Sequence, residues 1–191
     1  MTLLRSADVS AADWVVRSPV PEGRLITLGP AGFAASARLR FVPDPTGPGQ
    51  EEGDVEVPDD HPSDIAQVRR ALHVLAPFTA TPGDCWFCAW EGYSDLPLPP
   101  GPLVELPTRR YGLFRGTLDA VDTWAADLGA PGTAWPPAFV WPHDRAWCVT
   151  SDVDPHWAGI GASAAAIEAL LHDTGLDVVP VRPGEVPPTY Y

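Results

Sequence analysis

The sequence predicts an α+β fold, with a mainly antiparallel sheet and about three helices packed on it. The predicted elements run in the order strands, helix, strands, helix, hairpin, helix, strand, whereas a doubly wound parallel sheet needs regular alternation. The 24 prolines and 17 glycines among 191 residues exclude long uninterrupted helices. Residues 138–172 contain a predicted hairpin followed by a capped helix. We expect this hairpin to form the centre of the sheet of a single domain, residues 1–191.

Strands are predicted where short apolar or alternating runs lie between clusters of glycine and proline. The first predicted strand is Arg24–Leu28, which ends at Gly29 and Pro30, and its predicted partner is residues 34–42. The remaining strand-like segments outside the hairpin are residues 84–93, 104–106, 111–115 and 177–181.

Helices are predicted where apolar residues recur every three or four positions after a capping residue. Ser63 precedes the first of these helices, which ends before Pro77. Thr117 precedes a shorter helix that Gly129 closes, and Ser163 precedes the last.

Two segments carry too few apolar residues to pack against a core. Residues 43–62 are predicted to be an acidic flexible loop, because six of the ten residues from 51 to 60 are carboxylates. The spacing of a calcium-binding loop is missing there. Residues 182–191 are predicted to be a proline-rich tail.

The charge balance restricts the classes of partner. The chain has 25 Asp and Glu against 12 Lys and Arg, a net charge of −13. This excess disfavours binding to nucleic acid, whose affinity depends on cations that neutralise phosphates. It is typical of an acidic protein that is merely soluble, and it could also steer a basic protein partner. All twelve cations are arginines, so chemistry that requires a lysine, as in phosphate-binding loops of the Walker type, Schiff-base enzymes and protein kinases, is excluded.

A cytoplasmic location is predicted from three negative observations. The first residues lack the pattern of a signal peptide, and no run of 18 apolar residues predicts a membrane span. Three cysteines are an odd number, which does not suit the disulfide framework of a secreted protein.

Cys85 and Cys88 form a CxxC motif with tryptophan and phenylalanine between them. A zinc site could add Cys148 and either His143 or His156, and a redox pair is a second possibility. In a strand, however, positions i and i+3 point to opposite faces. We therefore favour buried core thiols over both alternatives.

Asp152, Asp154 and His156 occupy alternate positions, which in an extended strand would place two carboxylates and an imidazole on one face. Such a set could bind zinc or another divalent metal. Pro155 favours the competing interpretation, in which the strand ends and the aspartates form a turn.

Gly159, Gly161 and Ser163 precede the last predicted helix in a GxGxxA pattern, which could bind a phosphate or another anion at the start of a helix. A dinucleotide site would also need a βαβ unit, which the order of elements does not predict.

Three further residues of the hairpin are candidates for ligand binding. His143 and Arg145 flank Asp144 at the predicted tip, although adjacent turn residues rarely face one common target. Trp141, like Trp135, lies beside prolines near a turn and could line an exposed groove, although packing in the core is the commoner role.

The segment 141–154, with the Trp-Pro-His-Asp-Arg-Ala-Trp-Cys run at its start, resembles a segment of uncharacterised actinobacterial proteins. Cys85–Tyr93 and Tyr111–Gly116 are similar to segments of the same proteins, and the resemblance extends over about residues 60–182. It implies no activity. A general likeness to small acidic immunity proteins is architectural and includes no shared motif.

No set of residues forms a recognisable catalytic centre, so no catalytic residue and no cofactor is predicted. The favoured hypothesis is a non-enzymatic, acidic, cytoplasmic interaction protein, immunity-like, that binds a basic protein partner. The alternative is a metal-dependent or small-ligand enzyme that uses Asp152, Asp154 and His156.

Overall fold

A computed structural model of the chain describes residues 3–93, 96, 98–132 and 135–190. Within these residues nine strands form one antiparallel sheet, accompanied by five α-helices, so the predicted α+β class is confirmed. The strands are β1 Leu4–Arg5, β2 Ala35–Arg40, β3 Cys85–Trp90, β4 Leu103–Glu105, β5 Arg110–Gly116, β6 Phe139–Pro142, β7 Cys148–Ser151, β8 Trp157–Ala162 and β9 Val178–Pro180. The helices are α1 Asp13–Val16, α2 Glu22–Leu28, α3 Asp64–Leu75, α4 Trp124–Asp127 and α5 Ala164–His172.

The strands lie in the order β1-β5-β3-β6-β7-β8-β2-β9, and β4 also pairs with β5. The predicted hairpin is β6 and β7, with Val140 opposite Val149, and it lies at the centre of this order. The prediction for the hairpin is therefore confirmed.

Both faces of the sheet are covered, which explains why its central strands are buried along their whole length. In β3, Phe87 belongs to the core on one face, and Trp86 and Cys88 belong to the core on the other. Helices α3 and α5 and the segment 118–128 cover the first face, whereas α1 and α2 cover the second. Strands buried on two faces have continuous apolar runs rather than alternating ones.

The predicted strand Arg24–Leu28 is wrong, because these residues belong to helix α2. A run of four apolar or β-branched residues does not distinguish a short helix from a strand. The helix starts after Pro21 and ends at Gly29, whose φ of +88° is disfavoured for other residues and whose N–H donates to the Leu25 carbonyl. Strand β2 consequently pairs with β8 and β9 instead.

The predicted helices and their caps are found with two differences. Ser163 caps α5, because its Oγ accepts a hydrogen bond from the Ala166 N–H at 3.2 Å, but Ser63 makes no such side-chain bond to α3. The segment after Thr117 is a 3-10 helix, Leu118–Asp122, followed by the single turn of α4.

Residues 43–62 have no regular structure apart from a 3-10 turn at Glu52–Asp54, and the tail after β9 forms neither helix nor strand up to residue 190. None of the helices in the described ranges combines the length and the apolar character that crossing a bilayer requires.

Candidate functional site

His143 and Arg145 lie in the turn between β6 and β7 and contact different residues. The His143 backbone N–H donates to the Asp84 carbonyl at 2.8 Å, and its Nδ1 lies 3.8 Å from an Asp84 carboxylate oxygen. Arg145 has a φ of +55°, and its guanidinium lies over the Trp14 ring at 5.3 Å. The two side chains therefore do not converge on one ligand.

Trp141 is part of the core rather than of an exposed groove. It is 1% exposed, and its ring packs edge-on against Trp14 with centroids 5.8 Å apart. Trp135 is more exposed and stacks on Tyr93 at 5.3 Å. The two tryptophans therefore do not form a shared aromatic surface.

Gly159 and Gly161 lie inside strand β8 rather than in a loop before the last helix. A Cβ on Gly159 would lie 2.5 Å from the Leu28 Cα and 2.6 Å from the Thr27 carbonyl oxygen. A Cβ on Gly161 would lie 2.3 Å from the Phe33 ring. The glycines thus allow α2 and the following segment to lie directly on the strand, and they belong to a strand rather than to the loop that a phosphate-binding site of this pattern would use.

Asp152 and Asp154 follow the end of β7 and share one arginine. Arg109 lies 3.4 Å from a carboxylate oxygen of each, and its guanidinium also lies 4.7 Å from the centre of the Trp90 ring. Burial raises the pKa of Asp152, and the Val153 N–H and Arg109 oppose this only in part. The Asp154 side chain is 80% exposed.

His156 does not join these two aspartates. Its Nε2 lies 3.0 Å from Oδ1 of Asp44, and its ring packs against Trp157 and Tyr190. In the part of the chain that the structure describes, no group of three His, Cys, Asp or Glu residues is arranged to hold a metal ion. The set proposed for a metal thus separates into two ion-pair groups.

Asp44 is the centre of a network that the sequence did not reveal. Its carboxylate accepts from Arg38 at 2.7 Å and from Arg40 at 3.0 Å, in addition to its contact with His156. Burial alone would raise the pKa of Asp44, but the hydrogen bonds from Arg38 and His156 outweigh it, so this pKa lies well below its ordinary value. The Arg38 guanidinium also stacks on Trp157 at 4.9 Å.

The network is expected to make the stability of the protein depend on pH. Burial lowers the pKa of His156 below 6.5, and the Asp44 hydrogen bond reverses this only in part. The unfolded chain therefore takes up this proton more readily, and the free energy of unfolding is expected to fall as the pH drops through about 6.5. A second loss is expected below pH 3.8, where Asp44 protonates in the unfolded chain but stays ionised in the folded one.

Urea unfolding between pH 8 and pH 3 measures both steps. His156→Gln is expected to remove the upper step and to retain most of the lower one, because Arg38 and Arg40 still bind Asp44. An upper step of unchanged size in this variant would assign it to other groups.

The three cysteines are buried thiols without a disulfide partner. Cys85 lies in the core of one sheet face and Cys88 in that of the other, as the i, i+3 spacing predicts for a strand. Burial raises the pKa of Cys85 and of Cys148 to about 12 and that of Cys88 well above 9.0. None of the three is therefore a thiolate at neutral pH.

Native protein is expected to resist alkylation by N-ethylmaleimide at pH 7, because the reagent needs an accessible thiolate. In urea all three cysteines are expected to react. Mass spectrometry of both samples measures the number of adducts, and a native cysteine that reacts as fast as in urea would contradict the burial of that thiol.

The residues from 51 to 60, called the acidic segment below, carry exposed carboxylates that no arginine neutralises within the described residues. These carboxylates are Glu51, Glu52, Asp54, Glu56, Asp59 and Asp60. Most of the arginines, in contrast, form ion pairs with carboxylates outside this segment. Those in ion pairs are Arg17, Arg38, Arg40, Arg69, Arg70, Arg109, Arg110 and Arg115.

Both ends of residues 43–62 are attached to the sheet. At one end Asp44 pairs with Arg38 of β2, and the Tyr190 hydroxyl donates to the Pro43 carbonyl. At the other end, His61 and Gln67 both contact the Phe41 carbonyl, at 2.6 Å and 3.1 Å. The acidic segment is therefore presented at a defined place next to β2.

A cleft of about 370 Å³ separates the acidic segment from the residues that precede β9. Its apolar lining includes Val57, Pro58 and Leu176. Its charged lining is the Glu56 carboxylate together with Arg40 and Asp177, which pair with each other at 2.7 Å. Val57 is 41% exposed, so its apolar side chain is accessible to a partner. The cleft thus combines apolar surface with unneutralised negative charge.

Comparison of the chain with protein-family models, with curated proteins and with solved structures gave no match, so its function is inferred from its own residues.

Proposed function

We propose that the chain is a non-enzymatic, cytoplasmic interaction protein that binds a basic partner protein at the acidic segment and the adjacent cleft. The observation that carries the proposal is the segregation of charge. Eight arginines are held in ion pairs, whereas the six carboxylates of residues 51–60 face solvent and pair with no arginine among the described residues. Such a surface attracts a cationic partner and repels an anionic one.

The cleft adds a means of selection to this attraction. Unscreened charge increases the rate of encounter, but specific binding needs an apolar contact from which water is excluded. Val57 and Leu176 offer that contact beside Glu56. The partner segment is therefore expected to carry an apolar residue next to arginines or lysines.

Two further observations support the proposal. The three buried, unpaired cysteines agree with a reducing compartment. Asp152 and Asp154 pair with Arg109 while His156 pairs with Asp44, so the residues of the metal-dependent alternative belong to separate groups. Binding is accordingly the function that the geometry supports best.

Selection from a displayed library of random peptides tests the proposal. Peptides that combine arginine or lysine with an apolar residue are expected to be enriched, and their affinity is expected to fall as salt rises from 50 to 500 mM, because ions screen charges at the surface. Enrichment of neutral or acidic peptides, or no enrichment, would contradict it.

Two triple variants with the same change in net charge locate the surface. In the first, Glu56, Asp59 and Asp60 become amides, and the affinity of an enriched peptide is expected to fall by about 10- to 100-fold, at about 0.5–1 kcal/mol for each exposed ion pair. In the second, Glu105, Asp119 and Glu168, which are exposed and lie elsewhere, become amides with little effect. Equal losses in both variants would reduce the effect to the overall charge of the chain.

A further inference from the structure

A second concave site lies between α2 and the C-terminal tail. Its volume is about 470 Å³, within the range of about 300–1,000 Å³ that small-molecule sites occupy. Helix α2 forms one wall, and Val186 and Pro187 of the tail form another. Leu28, Pro155 and Trp157 complete a mostly apolar lining.

Among the described residues that line this cavity Arg24 is the one cation, and no described carboxylate forms an ion pair with it. Its Nη1 donates to the backbone carbonyl of Glu185 at 2.9 Å, which leaves its other N–H groups available. Asp154, also on the rim, already lies beside Arg109 at 3.4 Å. A guanidinium at an apolar cavity is suited to a carboxylate, which it can bind through two parallel hydrogen bonds.

Gly23 makes the cavity open. It lies on α2 beside Arg24 and lines the same space, and a Cβ at this position would meet no atom within 4 Å. A larger side chain here is therefore expected to enter the cavity without disturbing the packing of the helix.

We propose that this cavity binds a small apolar carboxylic acid, with its hydrocarbon part against Leu28 and Trp157 and its carboxylate on Arg24. The cavity shares no lining residue with the cleft beside the acidic segment, and the proposal does not depend on the function proposed for that segment. The C-terminal tail closes one side, so binding is expected to hold the tail against α2.

Calorimetry with three probes of similar size but different charge tests the proposal at millimolar concentrations: 3-phenylpropionate, 3-phenylpropanol and phenethylamine. The acid is expected to bind at least about tenfold more tightly than the alcohol, because a carboxylate can accept two hydrogen bonds from the guanidinium and carries the opposite charge. The amine is expected not to bind, because its charge has the same sign as that of Arg24. Equal affinity for acid and alcohol, or no binding of the acid, would overturn the proposal.

Variants of the full chain assign the site. Gly23→Leu is expected to abolish binding of the acid, whereas Gly23→Ala retains it. Arg24→Gln is expected to remove the preference of the acid over the alcohol, while Arg182→Gln, an exposed arginine outside the cavity, leaves that preference unchanged. Binding that survives Gly23→Leu, or that Arg182→Gln weakens as much as Arg24→Gln, would overturn the assignment, and thermal unfolding of each variant verifies that it is folded.

Discussion

Replacement of Gly159 by alanine is expected to lower the free energy of unfolding by about 3 kcal/mol, at the upper end of the usual cost of overpacking. The added methyl group would lie 2.5 Å from the Leu28 Cα and 2.6 Å from the Thr27 carbonyl oxygen. Both are backbone atoms, which cannot move aside as a flexible side chain does. The whole of α2 would have to shift away from β8.

Urea unfolding measures this effect as a lower midpoint with an unchanged slope. Gly23→Ala is the matched control, because the same methyl group meets open space on the same helix. In a helix, alanine is more favourable than glycine by about 0.5–1 kcal/mol, so the control is expected to be neutral or slightly stabilised. A loss below about 1 kcal/mol in Gly159→Ala would mean that α2 does not rest on the strand as described.

Asp44→Ala is expected to cost about 3 kcal/mol, because it leaves an arginine buried without a counter-charge. Arg38 is 3% exposed and lies 2.7 Å from Oδ1 of Asp44. Removal of one partner from such a pair is costly, since the remaining charge cannot regain its full hydration. His156 and Arg40 lose a hydrogen-bond partner in the same variant.

The control is Asp13→Ala, which removes the partner of Arg17 from a pair that is exposed on both sides. Such pairs contribute about 0–1 kcal/mol, so little change is expected. In the double variant Asp44→Ala, Arg38→Met the unpaired charge is absent, and part of the lost stability is expected to return. If Asp44→Ala and Asp13→Ala cost the same, the network around Asp44 contributes no more than a surface ion pair.

The sequence predicts the elements that are defined by local signals. The hairpin of β6 and β7, the helix after Ser63 and the cap at Ser163 all depend on residues within a few positions of one another, and all are found. The opposite orientation of Cys85 and Cys88 follows from the period of a strand. These features are properties of short segments.

The errors arise where a distant segment decides the structure. The run from Leu25 to Leu28 is compatible with helix or strand, and its helical form is selected by packing on β8. The spacing of Gly159 and Gly161 matches that of a phosphate-binding loop in the sequence. Only the position of α2 on β8 shows that Gly159 allows a helix to approach the strand.

The ion pairs are the least predictable part of the candidate site. His156 and Asp44 are 112 positions apart, and neither has a local pattern that identifies the other. One signal for part of the network was present in the sequence. Arg38 and Arg40 lie on one face of a strand shortly before Asp44, which predicts that both can reach the same carboxylate. The cavity between α2 and the C-terminal tail is unpredictable for the same reason, because its two walls are far apart in the sequence and meet only in the fold.

The position of β2 has a consequence for folding during synthesis. Both of its neighbours in the sheet, β8 and β9, are translated long after it, so β2 emerges from the ribosome without a strand to pair with. Strands β3, β5 and β6 can pair earlier, because their partners follow one another along the chain. An unpaired strand edge in a nascent chain is a point of aggregation. Strand β2 carries arginines at positions 38 and 40, which are charged before Asp44 pairs with them. These charges are therefore expected to keep β2 soluble until β8 and β9 have been synthesised.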